Sequence, residues 1–164
     1  MSQAKKVYAF EDTFMKAAQH AKAPLHVLQS LADAACRRWR VPPVDVKFAT
    51  GPNWSGMYYP ELDKIALFVS PKKDRGTKKA LRSGRNPAVL LHEVAHHIDD
   101  WKVNEDAEDA HGASFLAICM DLYDHYNVLP KAAFKLLTKK AGLKIAPRVR
   151  PGMRKRASAK RRRR

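Results

Sequence analysis

Cysteine is scarce, and what is scarce or missing here narrows the class of protein. The 164 residues include two cysteines, Cys36 and Cys119, and no CxxC pair. A disulfide scaffold and a cysteine-ligated zinc ribbon are thereby excluded, and both thiols are expected to be small buried hydrophobes. No apolar run approaches the ~18 residues that a bilayer-spanning helix needs. The first residues, "MSQAKKVYAFEDTF", hold no apolar stretch leading to a small-residue cleavage site, so export is not expected and a reducing, cytoplasmic setting fits the thiols. No internal repeat is visible, and 45% hydrophobic content separates the chain from disordered sequences. One compact domain with an added segment suits this length.

The most informative absence is of acidic residues near the C-terminus. Residues 1–124 carry 17 Lys and Arg against 16 Asp and Glu, whereas residues 125–164 carry 15 basic residues and no acidic one. Nearly all of the net charge of +16 therefore belongs to the last forty residues. Each cation placed on a phosphate releases counterions, so a cationic extension on a near-neutral body is expected to bind nucleic acid, with DNA the expected polymer. The expected contacts are Arg148, Arg150, Arg154, Lys155, Arg156, Lys160, Arg161, Arg162, Arg163 and Arg164. This reading divides the chain into a domain at 1–140 and a basic, disordered tail at 141–164, and it places the protein with cytoplasmic nucleic acid such as a nucleoid.

Periodicity supplies the elements. Phe14, Ala17, Ala18 and Ala21 predict a helix from Glu11 to about Ala23, with its carboxylate pair at the N-terminal end of the dipole. Leu25, Leu28, Leu31, Ala35 and Trp39 predict a second helix, closed by Pro42 and Pro43. "VDVKFAT" alternates as a strand, and "GMYYPELDKIALFVS" reads as a hairpin turning near Pro60 to Lys64, which together suggest an antiparallel three-stranded meander. The loop "SPKKDRGTKKALRSGR" follows, with seven basic residues. Three further helices are expected, at Asn86 to Trp101, about Asp106 to Tyr126, and about Pro130 to Lys140.

The chemistry concentrates in "NPAVLLHEVAHHIDDW", which holds three histidines and three carboxylates within nine residues. His92-Glu93-Val94-Ala95-His96 is an HExxH pattern. On a helix its two histidines project from one face a turn apart, within reach of one ion. Asn86 suits the N-cap, Pro87 the first helical position, and Ala88, Leu91, Ala95 and Ile98 the core face. Glu93 falls on the flank of the ion, where a carboxylate can take a proton from a water that zinc has acidified toward a pKa of about 7. His97 points away from the His92 and His96 stripe and reads as structural or as a group that supports a ligand, while Asp99 could accept an imidazole N–H and fix its tautomer.

A catalytic zinc takes three protein ligands and keeps one position open. A third histidine six residues past His96 is not available, because Lys102 stands there. Two residues compete for the role. His111 and His96 lie about five residues either side of the turn expected between the two helices, which would put them at matching heights on neighbouring antiparallel helices. Gly112 would then allow close approach, and Phe115, Ile118 and Leu122 continue the His111 face. Glu108, three residues earlier, is the alternative; imidazole is the commoner partner of two histidines, which favours His111.

With "LLHEVAHH" preceded by a hairpin and a loop, and followed fourteen residues later by "HGASF", the chain resembles the SprT-like zinc metallopeptidases, to which the Spartan proteases belong. The stretch concerned runs from about Leu25 to Tyr126, and the likeness extends to compact metallohydrolases of actinobacteria and their phages. The resemblance implies a zincin-like α+β domain with a small antiparallel sheet packed on helices. It implies Zn²⁺ held by His92, His96 and His111, Glu93 as catalytic base, and a protein or peptide substrate. It also implies that an edge strand near Gly56 to Tyr59 receives an extended peptide by strand addition. A nucleic-acid-binding protein with a structural or vestigial zinc site is the competing reading of the same charge distribution.

Overall fold

The computed structural model describes residues 3–15, 22–50, 55–69, 84–102, 110–147 and 149. It is an α+β fold with, among the described residues, five helices and one three-stranded sheet. The helices are α1 (Gln3–Met15), α2 (Leu25–Trp39), α3 (Pro87–Lys102), α4 (Ala113–His125) and α5 (Lys131–Lys140), and the strands β1 (Asp45–Ala49), β2 (Gly56–Tyr59) and β3 (Lys64–Phe68). No helix is long and apolar enough to cross a membrane among these residues.

The sheet is mixed, in the order β1-β3-β2, and this corrects the antiparallel meander. The hairpin is present: β2 pairs antiparallel with β3 through a single 3₁₀ turn at Pro60–Leu62 and Asp63, whose φ of 44° is left-handed. β1, however, lies on the other side of β3 and runs parallel to it, Val46 opposite Ile65 and Phe48 opposite Leu67. Alternation tells a strand's faces but not its neighbours. The distinguishing mark is in β3, where Ile65, Ala66, Leu67 and Phe68 are all buried, as expected of a central strand covered on both faces. On the side of β1 away from β3, Gln29 of α2 accepts from the Val46 N–H at 2.8 Å and donates to the Val44 carbonyl at 2.9 Å.

α2 packs on β1 and α3, and α3 lies against β2, β3 and α4. Asn86 Oδ1 accepts the Ala88 N–H at 2.8 Å, so the expected cap starts α3 and Pro87 occupies its first position. The core joins Leu28, Ala32, Ala35 and Trp39 of α2 to Leu90, Leu91, Val94 and Ile98 of α3 and to Phe115, Ile118 and Leu122 of α4. Both cysteines are buried, and burial pushes the Cys36 thiol up to about 12. They are inert at neutral pH.

Two helix expectations need correction. α1 starts at Gln3, eight residues before Glu11, because Val7 and Phe10 extend its apolar face toward the N-terminus. Glu11 is thus in mid-helix and buried, held by tertiary partners where a dipole argument had placed it at a helix start. α4 starts at Ala113, not near Asp106: Gly112 is extended (φ −69°, ψ −173°) and serves as its N-cap. His111 therefore sits in the turn before α4, and the matched heights of two helices do not bring it to His96. Beyond Lys140 the chain remains against the body: Leu143 is buried and the Ala146 N–H donates to the Ala113 carbonyl at 2.9 Å.

Candidate metal centre

Three imidazoles meet at one point. His92 and His96, one turn apart on α3, bring their Nε2 atoms to 3.2 Å, and His111 Nε2 is 3.4 Å from His92 Nε2. One nitrogen from each ring lies within 4.8 Å of the others, a group that can hold a metal ion. Phe115, the last residue of "HGASF", forms the floor: its ring stacks on His96 at 4.4 Å and meets His92 and His111 edge-on at 5.0 and 4.9 Å. A rigid apolar floor limits each imidazole to one orientation. Burial and the neighbouring imidazoles hold His96 well below its usual protonation range, so its ring is neutral and its lone pair is available to a cation.

The residue behind His92 is Glu11, which periodicity alone had placed at a helix terminus. His92 Nδ1–H donates to Glu11 Oε1 at 2.8 Å, and the Tyr123 hydroxyl donates to the same oxygen at 2.9 Å. A carboxylate on Nδ1 fixes the tautomer that presents Nε2 to an ion and raises its basicity. Asp99 was expected to hold an imidazole in this way; at His92 the role belongs to Glu11, and Asp99 lines the cleft in front of the site. α1 contributes twice more. Gln3 Nε2 donates to the His111 carbonyl at 3.3 Å, and the Tyr8 ring stacks over His92 at 5.9 Å and meets His111 edge-on at 5.1 Å.

Glu93 is buried beside the histidines, and desolvation, opposed by His92 and by a hydrogen bond from the Tyr58 N–H, pushes its carboxyl up to about 7. Gly56 of β2 makes room for it. A Cβ at Gly56 would lie 2.8 Å from Glu93 Cγ and 2.9 Å from its Oε1, so only glycine lets the edge strand and this carboxylate lie so close. His97 is fully buried on the other side of α3: its Nε2–H donates to the Pro42 carbonyl at 2.9 Å and its Nδ1 lies 3.2 Å from the Tyr58 hydroxyl. It ties α3 to β2 and to the segment between α2 and β1, the structural one of its two readings.

A cleft of about 480 Å³ opens over the histidines, walled by Tyr8 of α1, by Gly56, Met57 and Tyr58 of β2, and by Glu93, Asp99 and Asp100 of α3. The edge strand therefore runs along the cleft. Glu108 and all ten of the expected nucleic-acid contacts, Arg148, Arg150, Arg154, Lys155, Arg156, Lys160 and Arg161 to Arg164, lie outside the described residues, as does most of the basic loop before α3. Glu11 and Tyr8 were missed because nothing in the local pattern of α1 marks them. The available signals were weak: a carboxylate and an aromatic three residues apart, on one face of a helix whose other residues pack. No family model, curated protein or solved structure matches the chain, so the chemistry of this centre rests on its own residues.

Proposed function

We propose that the chain is a zinc-dependent peptidase of the SprT-like kind, with a zincin-like domain held on or near nucleic acid by its basic C-terminal segment. The observation that carries this reading is the convergence of three Nε2 atoms beside a buried carboxylate. Four ligands arranged tetrahedrally at the ~2.05 Å zinc–imidazole distance sit about 3.3–3.4 Å apart. The observed separations of 3.2 and 3.4 Å match that figure. An all-imidazole set favours zinc over magnesium or calcium, which take oxygen ligands.

When bound, zinc supplies a Lewis acid and brings the acidity of water close to neutral pH. The remaining work falls to side chains. Glu93, buried beside the histidines, takes the proton of the attacking water and delivers it to the departing amine nitrogen. Glu11 keeps His92 in the tautomer that presents Nε2. A peptide laid antiparallel on β2 would run past Glu93, with alternate side chains directed into and out of the cleft.

The test measures zinc content first and then cleavage of a DNA-associated protein, with and without single- and double-stranded DNA, for wild type and Glu93→Gln. Stoichiometric zinc in both proteins and cleavage by wild type alone are expected, with faster cleavage when DNA is present. Purified protein without zinc, or a fully active Glu93→Gln, overturns the proposal. The acid-free last forty residues favour one second reading, a nucleic-acid-binding protein whose metal site is structural or vestigial. In that case DNA is bound whether or not zinc is present, and neither protein cleaves.

A further inference from the structure

Attack on an amide gathers negative charge on its carbonyl oxygen, and a donor held in place for that charge is commonly a large part of catalysis. The chain has five tyrosines, and the fold engages or removes four of them. Tyr123 donates to Glu11. The Tyr58 hydroxyl lies 3.0 Å from Asp100 and 3.3 Å from Asp63, turned toward His97. Tyr59 is exposed and does not line the cleft, and Tyr126 lies at the end of α4 near Arg38 and Cys36. None of these four placements suits a donor to a carbonyl oxygen in the cleft.

Tyr8 is different. It lines the cleft with Glu93, His96 and His111, and its ring rests on the faces and edges of two of the three histidines. At 51% exposure it is accessible to a peptide lying in the cleft. Its position is set from behind, because Glu11, three residues along the same face of α1, is fastened to His92, and Gln3 is fastened to the His111 backbone. The helix that orients one imidazole thus also carries a phenol over the site.

We propose that Tyr8 is a catalytic residue, its phenolic O–H donating a hydrogen bond to the carbonyl oxygen of the scissile amide as charge builds there. The proton stays on the phenol throughout; Glu93 alone carries the proton that is transferred. This inference rests on the peptidase reading above. Among the described cleft residues no other side chain offers a neutral donor that is not already engaged with α3 or held as a metal ligand.

Zinc-loaded full-length wild type, Tyr8→Phe and Glu93→Gln are compared by zinc content, steady-state cleavage of casein, and calorimetric titration with a phosphinic peptide, whose tetrahedral oxygens imitate the charged carbonyl. Tyr8→Phe keeps the ring and loses only the hydroxyl. Unchanged zinc content, a kcat lowered about 100-fold with KM within about threefold, and phosphinic-peptide affinity lowered at least about tenfold are expected. Wild-type kcat and probe affinity in Tyr8→Phe overturn the proposal, as does activity lost only in proportion to zinc. Should zinc-loaded wild type prove as inactive as Glu93→Gln, the peptidase reading fails by itself. Weaker probe binding by Tyr8→Phe would still assign it as the site's oxyanion donor, and unchanged binding would remove it.

Discussion

Glu11 shows how much a single buried carboxylate can control. It accepts from both His92 and Tyr123 on one oxygen, inside a core where an unpaired carboxylate would be costly. Glu11→Gln keeps the size of the side chain and removes the charge that makes His92 a strong donor. Zinc affinity measured by chelator competition should fall about 10- to 100-fold while the fold persists; an unchanged affinity would refute the role given to Glu11. Glu93 and His96 lead to a second prediction, for the metal-free protein. Burial raises Glu93 from 4.5 to about 7, so the folded chain binds this proton more tightly than the unfolded one. That contribution is complete below about pH 4.5 and is lost as pH rises through 7. His96 acts in the opposite sense: its depressed protonation favours the folded state above 6.5, and the benefit is lost as pH falls. Glu93→Gln removes only the first effect. It should stabilise the metal-free protein by up to roughly 3 kcal/mol at pH 8 and by little at pH 4.5, read by urea unfolding at the two pH values. An advantage independent of pH would contradict the assignment.

Among the elements, α1 stands out because it adds Glu11, Gln3 and Tyr8 to a site whose three histidines are all on other segments. Besides these hydrogen bonds its attachment is aromatic: Phe10 is buried, 5.0 Å edge-on from Phe134 of α5, and Phe14 meets Tyr123 of α4 at 5.6 Å. Packing and chemistry are therefore coupled through one helix. Phe10→Ala should cost about 3–5 kcal/mol of stability. It should also speed zinc release into a chelator although Phe10 touches no ligand; destabilisation with unchanged release would show that α1 is dispensable to the centre. α3 and α4 divide the rest of the work. Helical spacing delivers His92 and His96 from α3, and Phe115 on the first turn of α4 supplies the floor beneath them, with His111 carried by the turn just before it.

At the scale of the molecule, the chain separates a body of nearly balanced charge from a C-terminal stretch that has none of the opposing sign. Residues 147–164 contain ten Arg and Lys. Deleting them should leave zinc content intact and remove most DNA affinity, and the slope of log affinity against log salt should fall by about 0.9 for each phosphate that the shortened chain no longer neutralises. Unchanged affinity in the truncated protein would move DNA binding onto the body, with the basic residues before α3 the next to test.

The HExxH helix, its Asn86 cap, the β2–β3 hairpin and the charge asymmetry were all determined by the sequence alone, because each depends on residues close together in the chain: a spacing of four, a cap two residues from its N–H, a turn between two strands. That His111 joins His92 and His96 was legible too, but its delivery was not. The extended Gly112 ends any helix there, and the imidazole arrives on a turn. Only the tertiary structure decided that Glu11 meets His92 across 81 residues of sequence, that Tyr8 overhangs the site, and that β3 lies between β1 and β2. Such contacts leave no period in the sequence. They are set by which apolar faces bury against each other, and polar groups such as Glu11 then take whatever partners that packing puts within reach.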